Sequence, residues 1–126
     1  MIILKFCEMY FDKANKRVFN INLGDNLVVR DFDIAGKVGR FSVLDEYIEI
    51  HYKGSEIYYR GDHLPNSIVD GKLKITFVKT DRDNPFVNGL LLYEGTIYDT
   101  DFHEIYIFKE LWENKFREEQ RKKYLE

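Results

Sequence analysis

The chain has 126 residues, of which 44% are hydrophobic and 33% charged, enough apolar material for one compact core and not for two. Its 19 basic residues against 22 acidic ones leave a formal charge of -3, so the chain-wide basic footprint of a nucleic-acid-binding protein is excluded. No apolar run reaches the roughly 18 residues of a membrane-spanning helix.

The residues Met1-Ile2-Ile3-Leu4-Lys5-Phe6 are apolar for four positions and then charged. They lack the basic start and long apolar stretch of a secretory leader. Ile2 to Phe6 is expected to be a strand, with Cys7 at its end as a buried thiol. A single cysteine forms no intrachain disulfide, and the expected compartment is cytoplasmic. Val18, Asn20 and Asn22 alternate with Phe19, Ile21 and Leu23, a period-two pattern with one wet face. Gly24-Asp25-Asn26 supplies turn chemistry, and Leu27 to Ile34 resumes an extended run, so 17–34 reads as a hairpin. Ala35 to Arg40, with Gly36 and Gly39, reads as a loop.

From Glu46, Ile48, Ile50 and Tyr52 share one face of an extended run, and Glu49, His51 and Lys53 the other. Ile57 to Arg60 reads as a short strand, and Gly61 to Asn66 as a turn-rich connection. Leu73, Ile75 and Phe77 alternate with Lys72, Lys74 and Thr76. Thr80 to Pro85 is a polar loop, and Phe86 to Tyr98 a strand region broken by Gly89 and Gly95. Seven or eight short strands with turn signals about every 8–12 residues predict an antiparallel β-sandwich or barrel.

The pattern changes at Asp99. Asp101 and Glu104 resemble a capping box. Ile105, Phe108, Leu111, Trp112 and Phe116 then follow helical spacing, and Glu113–Arg117, Glu118–Lys122 and Glu119–Lys123 are acid-first pairs one turn apart. The domains expected are a sandwich over 1–98 and a charged amphipathic helix over 99–126. The aromatic stripe of that helix packs on the sandwich or, alternatively, against another polypeptide.

Catalytic signatures are sparse. His51, His63 and His103 lack zinc-ligand spacing. No nucleophile elbow, phosphate loop or dinucleotide fingerprint occurs. Two acidic pairs, Asp31/Asp33 and Asp81/Asp83, are of the type that general acid–base catalysis employs, but Asp83-Asn84-Pro85 also reads as an Asx turn. Tyr10-Phe11 follows the first strand and precedes the polar segment Asp12 to Arg17. A ring at such a loop tip can stack on the apolar face of a sugar, with a nearby carboxylate accepting its hydroxyls.

These residues resemble a malectin domain. The similarity runs through Leu4-Lys5-Phe6-Cys7-Glu8-Met9-Tyr10-Phe11, through Lys16 to Ile21 and Val28 to Ile34, and then through Gly71 to Lys79 with Asp83-Asn84-Pro85 and Asn88-Gly89-Leu90. It covers residues 1 to about 98. The resemblance implies a jelly-roll type β-sandwich lectin that binds glucose-containing oligosaccharides. By position, Tyr10 and Phe11 match the family's aromatic pair, and Asp83 its aspartate. No cofactor and no catalytic step are implied.

Members of the family begin upstream of the point matching Met1, so the resemblance also implies an N-terminally truncated sandwich. That predicts an unpaired sheet edge and uncovered apolar surface, which invite strand addition. Two partner classes follow: a glucose-type oligosaccharide, and another polypeptide that completes the sandwich or docks on the helix over 101–125. A structural protein-interaction module of a cytoplasmic, ciliary or cytoskeletal assembly that no longer binds sugar is the alternative reading. An endoplasmic-reticulum location applies if a signal sequence lies outside this chain.

Overall fold

The computed structural model describes residues 1–96 and 113–123. The C-terminal end (97–98) of the last expected strand region, the capping box Asp101/Glu104, His103 and the stripe residues Ile105, Phe108, Leu111 and Trp112 lie outside them, as does the expected domain boundary at 98/99; of that strand region the structure shows a strand only over Gly89–Leu92.

Two three-stranded antiparallel sheets form the body of the fold. In the first, β1 (Ile2–Cys7) is central, flanked by β4 (Val43–Ile48) and β11 (Gly89–Leu92), so that Leu4 lies between Glu46 and Leu90. In the second, β2 (Val18–Leu23) is central between β3 (Asn26–Phe32) and β10 (Ile75–Arg82). A smaller sheet joins β5 (Ile50–Lys53), β6 (Glu56–Tyr59) and β7 (Asp62–Leu64), and β8 (Ile68–Val69) pairs with β9 (Lys72–Leu73). This is the antiparallel β-sandwich that the strand spacing predicts.

Alternation builds its core. Ile2, Leu4 and Phe6 of β1 and Leu44 and Ile48 of β4 join Phe19, Ile21 and Leu23 of β2 in one buried cluster, with Phe32 and Ile57. Phe6 is its centre, with ring centroids 4.7 Å from Phe32 and 5.9 Å from Phe19. Tilted and edge-on pairs of this kind each add about 0.5–1.5 kcal/mol beyond area burial. The opposite face of β1 is also buried, since Met1 and Ile3 pack with Tyr47, Leu91 and Tyr93. That explains why the strand reads as a continuous apolar run instead of an alternating one.

The predicted hairpin 17–34 is present, with Leu23 opposite Asn26 and Gly24 at φ 58° in the turn. Here a side chain is excluded outright, because a Cβ on Gly24 would stand 2.8 Å from the Asn66 carbonyl oxygen. Other expectations are corrected. The loop expected at 35–40 contains a short helix, α1 (Ile34–Val38), whose N-cap Asp33 accepts a bond from the Gly36 N–H. Three of its residues (Ile34, Ala35 and Val38) are buried, a period too brief to register in sequence. The extended run from Glu46 is divided at Glu49 into β4 and β5, which serve different sheets. Ile48 is therefore in the core while Tyr52 is 64% exposed. The connection at 61–66 holds β7, and the loop expected from Thr80 begins only after Arg82, where β10 ends. Cys7 is half-buried, on the face of β1 away from Phe6.

At the other end of the chain, residues 113–123 are helical. Within them Arg117 bonds the Glu113 carbonyl at 3.3 Å and Asn114 Oδ1 at 2.7 Å. The Phe116 ring lies over Gly39, 3.4 Å from where its Cβ would stand.

Candidate ligand-binding rim

Chain leaving β1 turns at once through Glu8-Met9-Tyr10-Phe11. Glu8 is only 1% exposed, and a buried carboxylate demands partners. It has three: the backbone N–H of Tyr10 at 3.1 Å and of Phe11 at 3.4 Å on Oε1, and Arg17 Nε at 2.8 Å on Oε2. The same carboxylate thus shapes the turn that carries the aromatic pair and anchors the only cation within its reach among the described residues.

Arg17 extends the site across the fold. Its Nη1 donates to the Asn84 carbonyl at 2.6 Å and to Asp83 Oδ1 at 3.3 Å. Its guanidinium plane lies 5.3 Å from the Phe11 ring centroid and 4.8 Å from that of Phe86, within the range of cation–π attraction. Tyr10 and Phe11 meet edge-on at 4.8 Å. Tyr10 is 74% exposed, so one ring of the pair faces solvent while the other leans on Arg17. Asp83 sits at φ 60°, a conformation that Asp tolerates better than most residues. Its Oδ1 accepts from Arg17 and from the Asn84 N–H at 2.6 Å, which leaves Oδ2 open to a further donor. At Asp83-Asn84-Pro85 the chain bends at Asp83 and its carboxylate bonds the local Asn84 N–H, and that carboxylate belongs to the rim as well.

All three residues singled out in the sequence, Tyr10, Phe11 and Asp83, are brought together through Arg17 and Glu8. Sequence reasoning missed those two and Phe86. The available signal for Glu8 was its place two residues before the aromatic pair.

The acidic pairs do not act as pairs. Asp33 is committed to α1 and to the Asn15 N–H at 2.7 Å. Asp31 and Asp81 line a concavity of about 350 Å³ with Asn15, Val18, Thr80 and Arg82, apart from the Asp83 carboxylate held by Arg17. No group of three potential metal ligands occurs among the described residues. His63 instead pairs with Glu56 on the β5–β7 sheet. A rim of two rings and one open carboxylate oxygen can bind a polyhydroxylated ligand, and it offers no nucleophile with a base beside it.

A family profile described as "Malectin domain" matches residues 1–90. The chain belongs to the malectin family. Among relatives, malectin of Mus musculus is 37% identical over 99 residues, 79% of this chain and 33% of that protein. Malectin-B of Xenopus laevis is 38% identical over 79% of this chain and 35% of its own length. Malectin of Homo sapiens is 36% identical, with 79% and 33% covered. The chain therefore spans about a third of the length of the curated relatives it matches. Malectin domains are lectin-like, carbohydrate-binding modules and not enzymes.

Proposed function

We propose that this malectin domain binds glucose-containing oligosaccharides, with Tyr10 and Phe11 stacking on pyranose faces and Asp83 accepting hydroxyl hydrogen bonds. The supporting observation is the Arg17 bridge, which ties the Phe11 ring at 5.3 Å and the Asp83 carboxylate at 3.3 Å into one rim beside the exposed Tyr10. Stacking needs a ring with an open face, and orientation needs a fixed acceptor. Arg17 holds that acceptor still, so little ordering entropy is lost when the ligand arrives. Titration with maltose and longer glucose oligosaccharides, followed by tyrosine fluorescence, tests the reading. A saturable change that Asp83→Ala or Tyr10→Ala weakens at least tenfold supports it. No saturable change up to millimolar ligand defeats it.

A second reading, a module that binds another polypeptide, draws on β11. Leu90 and Leu92 align with Leu4 and Ile2, residues buried in the core, yet are 53% and 62% exposed. A strand of a partner added beside β11 would cover them. Size-exclusion chromatography and thermal melting of the 126-residue chain discriminate, because a cooperative monomer that binds sugar leaves this reading without support.

A further inference from the structure

Phe41 is tied to Glu8 through the main chain. Its ring is 60% exposed, although its backbone has φ 65°, a left-handed conformation in which a bulky side chain is a marked outlier. Backbone geometry alone would favour glycine or asparagine there. The conformation is held by the Phe41 N–H, which donates to the Glu8 carbonyl oxygen at 2.8 Å. The main chain of Glu8 thus carries Phe41, and its side chain carries Tyr10 and Phe11. A strained site that displays a large ring to water points towards function more than towards packing.

The surroundings of the ring are suited to a ligand. The Arg40 guanidinium lies over one face of the Phe41 ring, 4.5 Å from its centroid, which leaves the opposite face for a ligand and sets hydrogen-bond donors beside it. Alongside run Met9 and Val43, 62% and 70% exposed. Val43 is paired with Cys7, whose Sγ lies 3.5 Å from Met9 Sδ. Among the described residues, Phe41 has its ring contact with Arg40, and Tyr10 and Phe11 have theirs with each other, so it offers a separate stacking surface. It enters from the α1–β4 connection, whereas Asp83 and Phe86 enter from β10 and the segment beyond it.

We infer that Phe41 and Arg40 form a second stacking position of the same rim, which takes a further pyranose unit of a ligand whose first unit lies at Tyr10, Phe11 and Asp83. The inference rests on the oligosaccharide reading and determines the ligand length that the site prefers. Isothermal titration of the 126-residue chain with maltose and with maltotetraose tests it. The wild-type protein is expected to bind maltotetraose more tightly than maltose. Phe41→Ala should lower maltotetraose affinity about 3- to 10-fold, the range of one aromatic contact, and leave maltose affinity within about twofold. Phe41→Gly adopts φ 65° without steric cost, so it should give the same selective loss while melting no lower than the wild type. Equal losses for both sugars, or no loss for either, overturn the inference while the oligosaccharide reading stands. If the wild-type chain binds neither sugar, that reading falls first and the second position falls with it.

Discussion

Arg17 Nε lies 2.8 Å from Glu8 Oε2, in a pair whose side chains are 16% and 2% exposed. The two residues are nine apart in sequence, on either side of the loop between β1 and β2. Tyr10, Phe11, Asp83 and Phe86 each touch one of them. Glu8 fixes the Tyr10–Phe11 turn through two N–H bonds, and Arg17 fixes Phe86 and Asp83. A buried ion pair is not by itself a large source of stability, but removing one partner leaves an uncompensated charge.

Glu8→Ala is therefore expected to destabilise the domain by about 3–5 kcal/mol. Glu8→Gln keeps an acceptor for the Tyr10 and Phe11 N–H groups and should cost less. Urea unfolding of the three proteins checks the order. An alanine variant as stable as the wild type would mean that Arg17 finds another acceptor.

The two ion pairs of Arg17 should differ in strength, because Glu8 is buried while the Asp83 side chain is 40% exposed. Double-mutant cycles with Arg17→Lys separate them. Coupling to Glu8→Gln is expected to exceed about 1.5 kcal/mol, and coupling to Asp83→Asn to stay below about 1 kcal/mol. The reverse order would show that the exposed arm dominates.

Gly39 adopts φ 81° beneath the Phe116 ring. Gly39→Ala should cost about 1–3 kcal/mol, because φ 81° with ψ 179° is a backbone region essentially reserved for glycine, with a lower Tm. Phe116→Ala should weaken the seating of helix 113–123 and increase amide exchange there, with little effect on exchange in β1 and β2. Uniform changes across both regions would contradict so local a role.

Tyr59 carries a pH dependence. Burial disfavours its phenolate and raises its pKa above the ordinary 10.0, while Arg60 pulls the other way less strongly and Glu46 adds to the rise. A pKa raised on folding means that the folded state retains the proton longer than the unfolded one. The stability linked to Tyr59 is thus fully present below pH 10 and is lost as pH climbs through the folded value. Tyr59→Phe should flatten that alkaline loss in denaturation curves taken at rising pH. An unchanged alkaline slope would remove Tyr59 from the account.

Much of the architecture was legible because its signals are local. The alternation of Phe19, Ile21 and Leu23 put those residues into the core, Gly24 made the turn, and the aromatic pair after β1 emerged at a loop tip. Local rules failed where the chain changes partners without changing its pattern. Glu49 separates two strands within the same alternating run, because the residues after it pair with β6 instead of β1. The α1 turn was invisible because five residues offer too little periodicity.

The sequence by itself determined the sandwich and the family resemblance, and it singled out Tyr10, Phe11 and Asp83 as candidates, since strand period and motif order are properties of neighbouring positions. Tertiary structure alone decided that they share a rim, because Arg17 and Asp83 lie 66 residues apart and meet only when β2 and β10 pair. It also decided that Glu8, a residue usually left in water, is buried beneath that rim. Burying a carboxylate is tolerable only where the fold supplies its hydrogen-bond donors, and no one-dimensional pattern encodes which donors arrive.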